Sequence, residues 1–223
     1  MTLISPRTFG AGGSEPYANA IRTASTDVLY LQEVGREAAP MDVARWNSAA
    51  DQVDLRLLAS VLGPVLDIGC GPGRMVQAAI ELGLDALGID VSPVAVEIAR
   101  ANGLPVYHGS IFDRVPNEGG WQTVLLVDGN VGIGGDVDAL LDRCGELLAP
   151  TGELVIELHP DDERDRTYIG RLVDPNGGES ESFPWAEIGL DSMLRRAACF
   201  GFELRQAWLA DDRSFCRLVN ISR

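Results

Sequence analysis

From position 65 onward the hydrophobic residues fall into short apolar runs that alternate with amphipathic stretches. The runs predict buried strands at 65–68, 86–90, 105–107, 123–127 and 153–158. Spacings of three and four predict helices at 75–82, from 92 onward and at 136–148. Ser92 is placed as the N-cap of the second helix and Pro93 as its first residue. Strands alternating with helices predict an α/β fold of three layers with a mostly parallel sheet.

Both ends of the chain depart from this alternation. Residues 1–15 are rich in Gly, Ser and Pro and predict a loose arm, while 16–63 carries two helical patterns, the first through Ala20 to Leu31 and the second from Met41 to Leu58. We therefore predict an N-terminal arm and helical lid over 1–63 and a main domain over 64–223.

At the C-terminal end, a helix at about 190–199 precedes runs at 202–209 and 215–221, which predict an antiparallel β-hairpin at or next to the sheet edge. The polar stretch 159–184 is long for a connection, so it is predicted to be functional or mobile.

Composition narrows the possible partners. The 223 residues include 33 acidic and 18 basic side chains, for a net charge of −15. Such a charge disfavours nucleic acid and anionic lipid, which bind basic surfaces. No secretory signal or membrane-spanning run is apparent, and the four cysteines form no Cys-x-x-Cys pair, so we expect a reduced cytoplasmic setting. With two histidines in the chain, no metal site is expected.

The segment with the clearest chemistry is Val65–Arg74, VLDIGCGPGR. Its glycines follow the pattern Gly-x-Gly-x-Gly between a strand and a helix, where backbone can pass close to a ligand. A dinucleotide site requires Gly-x-Gly-x-x-Gly, and Arg74 stands in place of its third glycine. Asp90 ends the next strand, where a carboxylate can accept from both ribose hydroxyls. Asp67 adds negative charge that favours a cationic ligand over a pyrophosphate.

These two segments, VLDIGCGPGR and the following GIDVS, resemble the first two signature motifs of class I S-adenosylmethionine-dependent methyltransferases. The resemblance extends more weakly over residues 64–160, and the terminal hairpin also fits. It implies a Rossmann-like methyltransferase fold with S-adenosyl-L-methionine as cofactor. The cofactor-binding residues that it implies are Asp67, Gly69, Cys70, Gly71, Gly73, Asp90, Val91, Ser110, Ile111, Val127 and Asp128.

The resemblance also implies a role for several of these residues. Asp67 would bind near the methionine ammonium, Asp90 would hold the ribose hydroxyls and Val91 would pack on the adenine. The family often has an acidic residue after the third strand to receive the adenine amino group, and here Ser110 stands in its place. Cys70 is interpreted as a small loop residue and not as a nucleophile.

Acceptor-side residues are expected beyond the carboxyl ends of strands four and five, because ligands of open parallel sheets bind there. The candidates are Asp128, Asn130, Glu157 and His159. Positioning supplies much of the rate enhancement in methyl transfer, and a base is needed only for an acceptor proton of high pKa. We predict catalytic roles for His159, as that base, and for Asp128.

Aromatic side chains and one glycine-rich segment are further candidates near the acceptor. The aromatic residues predicted to line or cover its pocket are Tyr17, Tyr30, Trp46 and Trp185. The segment 129–135, GNVGIGG, is predicted to be a flexible loop close to the donor methyl, with a wide turn as the alternative.

The leading interpretation is methyl transfer to a small-molecule acceptor at an oxygen or nitrogen nucleophile. Methylation of a protein or peptide is an alternative, because an acidic surface can attract a basic segment. A second alternative is a protein that binds S-adenosylmethionine without catalysis. A nicotinamide oxidoreductase is disfavoured by Arg74 and by the terminal hairpin.

Overall fold

The computed structural model describes residues 8–12, 15–24, 28–33, 36 and 38–221. Part of the predicted arm, residues 1–7, 13 and 14, lies outside the described residues. The described strands are β1 (Leu29–Glu33), β2 (Ala39–Met41), β3 (Val65–Ile68), β4 (Ala86–Asp90), β5 (Val106–His108), β6 (Trp121–Leu126), β7 (Leu148–Leu158), β8 (Asp165–Val173), β9 (Phe183–Ile188), β10 (Phe202–Ala210) and β11 (Arg213–Asn220). The described α-helices are α1 (Pro16–Arg22), α2 (Val43–Trp46), α3 (Gln52–Leu58), α4 (Arg74–Glu81), α5 (Pro93–Ala101), α6 (Val137–Leu147) and α7 (Leu190–Cys199).

The larger of two sheets has the strand order β10-β11-β7-β6-β3-β4-β5. Its strands β3 to β7 pair in parallel. The terminal hairpin adds to β7 through antiparallel β11, with β10 at the edge. The predicted mostly parallel sheet with an antiparallel C-terminal hairpin is therefore confirmed.

Helices cover both faces of this sheet because successive strand residues point to opposite sides. On one face Leu66 packs in a cluster with Leu141 of α6 and Met193 of α7. On the other face its neighbour Val65 packs with Leu57 of α3 and Met75 of α4. The three-layer arrangement predicted from the sequence is thus confirmed.

The smaller sheet, ordered β2-β1-β8-β9 and antiparallel throughout, was not predicted. The prediction of a helix continuing to Leu31 is wrong, because α1 ends at Arg22 and Leu29 begins a strand whose alternate residues are buried. The prediction of 159–184 as a connection is also wrong, because all of β8 and the start of β9 lie within it. The proposed division at residue 63 stays a prediction, although β1 and β8 pair across it.

The second predicted N-terminal helix is interrupted between α2 and α3. Asp51 caps α3 in a capping box: its side chain accepts from the Asp54 N–H, and the Asp54 side chain accepts from the Asp51 N–H. A carboxylate that takes the first free N–H groups of a helix fixes a new start. This break places Trp46 and Arg45 next to the carboxyl ends of β3 and β6.

Candidate active site

The loop from β3 to α4 carries the three motif glycines. Gly69, Gly71 and Gly73 have φ angles of 71°, 54° and 98°, in the left-handed region that glycine adopts without strain. A Cβ at Gly73 would stand 2.5 Å from Leu104 Cδ1, so this glycine also allows close packing beneath the loop. The spacing of the motif therefore sets a backbone path that other residues would adopt only with strain.

Asp67 lies at the floor of a cleft beside this loop and is 2% exposed. Its Oδ1 atom is buried without a hydrogen-bond partner. Burial, and then the carboxylates of Asp128 and Asp90, raise its pKa well above the ordinary value. A buried acceptor surrounded by other carboxylates favours a cationic donor such as an ammonium group.

Asp90 lies at the end of β4 and supports the glycine loop. Its Oδ2 accepts from the Gly71 N–H at 2.8 Å and its Oδ1 accepts from the Ser92 N–H at 2.7 Å. Burial raises the pKa of Asp90, while these two backbone hydrogen bonds lower it. Each carboxylate oxygen retains a lone pair for a second donor. The residue can therefore cap the loop and still accept from a ribose.

The cleft is lined mostly by apolar and aromatic side chains with a few polar groups among them, which is typical of small-molecule sites. All the predicted cofactor-binding residues line it except Gly73, which faces Leu104 instead. Ser110 lines the cleft as predicted, and its Oγ accepts from the Phe112 N–H at 3.2 Å. The roles of these residues toward the cofactor stay predictions.

An aromatic cluster forms the other end of the cleft. We use this name for the packed rings of Phe9, Tyr17, Trp46, Phe183 and Trp185. The predicted Tyr17, Trp46 and Trp185 line the cleft, as does Phe9. Tyr30 instead lies on the exposed side of β1.

Tyr17 connects the aromatic cluster to the glycine loop. A Cβ on Gly71 would lie 3.3 Å from its hydroxyl oxygen. Burial, and then the charge of Asp90, raise the pKa of Tyr17 well above its ordinary value, so the side chain stays a neutral phenol. The two ends of the cleft are therefore continuous.

Arg74, the first residue of α4, is the centre of a buried ionic network. Its side chain is 3% exposed and is paired with Asp54 and Asp128. From the sequence, Arg74 was noted only as a departure from a dinucleotide motif. A cation at a helix N-terminus is repelled by the positive end of the helix dipole, so its presence there indicates that carboxylates lie nearby to compensate it.

Two further arginines complete the ionic network around Asp128. Arg45 of α2 lies 3.0 Å from Asp54 and 3.2 Å from Asp128. Arg213 of β11 lies 2.8 Å from Asp54 and is bonded to Glu157, whose Oε2 also accepts from the Asp128 N–H at 2.7 Å. Asp128 is thus held with φ at 55°, an unusual backbone conformation for a non-glycine residue.

His159 does not reach the cleft, contrary to the prediction that it serves there as a base. Its backbone N–H donates to the Ile188 carbonyl at 2.9 Å, and its Nδ1 accepts from the Asp161 N–H at 3.1 Å, which fixes the residue beside β9. It lines a separate cavity, and Trp185 forms part of the wall of both spaces. Asn130 does line the cleft, where its amide donates to the Ile68 and Gly69 carbonyls at 2.8 and 3.1 Å.

The glycine-rich segment after Asp128 is a packed turn, as the alternative prediction has it, and its flexibility stays a prediction. Residues Asn130–Gly135 form 3-10 helical turns that are interrupted by a kink at Ile133 and Gly134. A Cβ at Gly132 would stand 2.4 Å from the Ala186 carbonyl oxygen and 2.5 Å from Trp185 Cε2. The glycine is needed for close approach between two elements.

The described residues contain no group of three or more His, Cys, Asp or Glu side chains arranged to hold a metal ion. None of their helices is long and apolar enough to cross a membrane. Cys70, which lines the cleft, is buried, and burial raises its pKa well above the ordinary value.

Comparison with known proteins relates this geometry to one family. Residues 65–152 match the family model of a methyltransferase domain. The chain is 28% identical over 97 residues to a ubiquinone biosynthesis O-methyltransferase of Chelativorans sp., covering 41% of this chain and 38% of the relative. It is 29% identical over 148 residues to the enzyme of the same name from Azorhizobium caulinodans, covering 64% and 52%. These matches span about two fifths to one half of the relatives' length.

Solved structures extend the similarity over the whole fold. A SAM-dependent methyltransferase from Bacteroides fragilis in complex with S-adenosyl-L-homocysteine superposes with a TM-score of 0.76 at 20% identity, covering 92% of this chain and 93% of that one. The 1,6-didemethyltoxoflavin-N1-methyltransferase of Burkholderia thailandensis gives a TM-score of 0.57 at 15% identity, covering 76% and 77%. The Rossmann-like methyltransferase fold is thereby confirmed.

Proposed function

Since the chain belongs to the class I S-adenosylmethionine-dependent methyltransferases, we propose that it transfers a methyl group to an oxygen or nitrogen atom of a small-molecule acceptor. The observation that carries the proposal is the buried, unpartnered Oδ1 of Asp67, which lies in one cleft with Asp90 and the glycine loop. A ligand with both an ammonium group and a ribose fits these two carboxylates.

The chain's own residues define how S-adenosylmethionine would be held. Asp67 would accept from the ammonium, Asp90 from the ribose hydroxyls, and Val91 and Ser110 would border the adenine. When bound, the cofactor would supply an electrophilic methyl group. A lone pair of the acceptor would bond to the methyl carbon, the sulfur would keep the electrons of the broken sulfur–carbon bond, and the acceptor's proton would leave to solvent or to a base.

For the acceptor, the aromatic cluster offers apolar walls next to the loop, so positioning and exclusion of water are the contributions we assign to it. The catalytic role of Asp128 stays a prediction. Since its two oxygens face Arg74 and Arg45, we assign it the positioning of the turn after β6. Among the relatives, the names ubiquinone biosynthesis O-methyltransferase and 1,6-didemethyltoxoflavin-N1-methyltransferase refer to small molecules, which supports the same class here.

Calorimetric titration with S-adenosylmethionine, S-adenosylhomocysteine and NAD tests the cofactor. We expect both sulfur nucleosides to bind and NAD to bind at least tenfold more weakly. Asp90→Ala should lower the affinity for S-adenosylhomocysteine, while Asp113→Ala, which alters a carboxylate outside the cleft lining, should not. Equal affinities for NAD and S-adenosylhomocysteine would contradict the proposal.

A methyl-transfer screen against small molecules and basic peptides tests the acceptor. Methylation of small molecules supports the proposal, while methylation of peptides alone would establish the protein or peptide alternative in its place. Tight binding of S-adenosylmethionine with no transfer to either set would point to a binding protein without catalysis.

A further inference from the structure

Phe9 is surrounded by the other four rings of the aromatic cluster. Its ring centroid lies 5.0 Å from that of Tyr17, 5.3 Å from Phe183, 5.4 Å from Trp185 and 6.2 Å from Trp46. These tilted and edge-on distances are those of favourable aromatic pairs. The other four rings therefore bind a planar ring that the chain itself supplies.

The described backbone around Phe9 belongs to neither a helix nor a strand. Within this turn the Ala11 N–H donates to the Thr8 carbonyl, and the Gly12 backbone donates to the Glu15 carboxylate. The neighbour of Phe9, Gly10, packs against the Tyr17 ring, where a Cβ would lie 3.2 Å from two ring carbons. A segment positioned through ring contacts can be displaced by a competing ring with similar contacts.

The charges of the cleft exclude one class of competing ligand. Among the described residues that line it, Arg74 is the one cation, and its terminal nitrogens are paired with Asp54 and Asp128. Asp67 and Asp90 add two further carboxylates. The carboxylate of S-adenosylmethionine is accompanied by its own ammonium group, whereas a carboxylate or phosphate on the acceptor would meet repulsion with no free cation among these lining residues to compensate it.

We infer that the acceptor is a planar aromatic or heteroaromatic small molecule without an anionic group, and that its ring takes the place of the Phe9 ring. This inference rests on the proposed function. Tyr17 gives the geometric reason for the placement, because its ring belongs to the aromatic cluster and its hydroxyl lies beside Gly71. A ring held in the cluster is therefore adjacent to the loop, where it can present a ring-bound oxygen or nitrogen.

Three probes of similar size test planarity and charge in the unaltered protein: 2-naphthol, decahydro-2-naphthol and 2-naphthoate. Each is titrated by calorimetry into protein saturated with S-adenosylhomocysteine. We expect 2-naphthol to bind at least tenfold more tightly than either other probe. The saturated alcohol lacks the aromatic contacts, and the carboxylate carries a charge that no free cation compensates. Equal binding of 2-naphthol and either other probe overturns the inference.

Two variants then test the place of Phe9. Phe9→Ala should strengthen 2-naphthol binding about tenfold, because the competing ring is gone, whereas Trp185→Leu should weaken it about tenfold. Trp208→Leu removes an indole stacked on Phe215 outside the cleft lining and should leave the affinity unchanged. Weaker binding in Phe9→Ala would show that Phe9 is a wall of the site, which overturns its displacement.

The cofactor titration distinguishes failure of the proposed function from failure of the inference about the acceptor. If S-adenosylhomocysteine does not bind the unaltered protein, the proposed function fails, and this inference fails with it. If it binds and the three probes do not differ, only the inference about the acceptor is overturned.

Discussion

Replacing Asp67 by asparagine should make the ligand-free protein more stable and the cofactor complex weaker. The substitution keeps the shape of the side chain and removes its charge. In the folded chain that charge is buried, has one oxygen without a partner and lies near two other carboxylates. The unaltered protein therefore carries an electrostatic cost that a cationic ligand relieves.

The sign of the pH dependence follows from the raised pKa. Burial, and then Asp128 and Asp90, raise the pKa of Asp67 in the folded state, so folded protein binds this proton more tightly than unfolded chain does. Its contribution to stability is fully present below the ordinary carboxyl pKa and is lost as pH rises through the raised value. The amide introduced by Asp67→Asn cannot ionise, so this decline disappears in the variant.

The two magnitudes follow from the buried charge and from the hydrogen bond that it would make. Burying a carboxylate beside two others costs more than burying a neutral amide of the same shape, so ligand-free Asp67→Asn should be more stable by about 1–3 kcal/mol at neutral pH. A hydrogen bond to a charged group contributes about 1.5–3 kcal/mol, so the affinity for S-adenosylhomocysteine should fall roughly 10- to 150-fold.

Urea unfolding from pH 5 to 8.5 without ligand gives the first quantity, and calorimetric titration gives the second. Asp113→Asn makes the same chemical change at an exposed position outside the cleft lining and should alter neither. If Asp67→Asn lowers the stability of the ligand-free protein, or leaves the affinity for S-adenosylhomocysteine intact, the reasoning is refuted.

Three other predictions concern packing, thiol reactivity and the ionic network. Gly132→Ala should lower the free energy of unfolding by about 1–3 kcal/mol, because the new methyl group would be overpacked against β9. Gly145→Ala should raise it by up to about 1 kcal/mol, because its Cβ would have no neighbour nearer than 3.6 Å and alanine is the better helix former. Equal effects of the two variants in urea unfolding would contradict the packed turn. Exposed Cys199 should react with iodoacetamide in the native protein well before Cys144, because Cys144 is buried and burial raises its pKa to about 12. Mass spectrometry of digests measures the two rates. Early alkylation of Cys144 would show that the core opens. Arg213→Met should lower the free energy of unfolding by about 1–3 kcal/mol, because Glu157 loses both hydrogen bonds to the guanidinium while Asp54 keeps Arg74 and Arg45. An unchanged free energy in urea unfolding would contradict the network.

The central strands of the larger sheet were predictable because they are buried on both faces. Val65–Ile68 is buried at every position, and such a run ended by glycines has few alternative structures. The helix that follows Ser92 was equally well defined, because the Ser92 side chain accepts from the Ala95 N–H as the N-cap pattern predicts. The residues predicted to bind the cofactor, which line the cleft except for Gly73, come from the same local signals.

The smaller sheet was not predictable from periodicity, because its strands are half exposed and partly polar. Leu29 and Leu31 are buried while Tyr30 is exposed. Because this alternation is short and follows the helical spacing of α1, the apolar residues of both elements together match the pattern of one longer helix. Strand β8 carries charged residues on its outer face and so resembles a polar connection. The partners of Arg74 could not be predicted for another reason, because Asp54 and Asp128 lie far from Arg74 in sequence and come close only in the folded chain.

The acceptor end of the cleft is built almost entirely outside residues 65–152, the segment that matches the methyltransferase domain. Its rings come from the N-terminal segment and from β9, which the small sheet holds together. Under the proposed function, acceptor preference is therefore expected to depend on this attached module, and cofactor binding on residues 65–152. Exchange of β8, β9 and the N-terminal segment with those of a related methyltransferase should then transfer acceptor preference and leave cofactor affinity as it was.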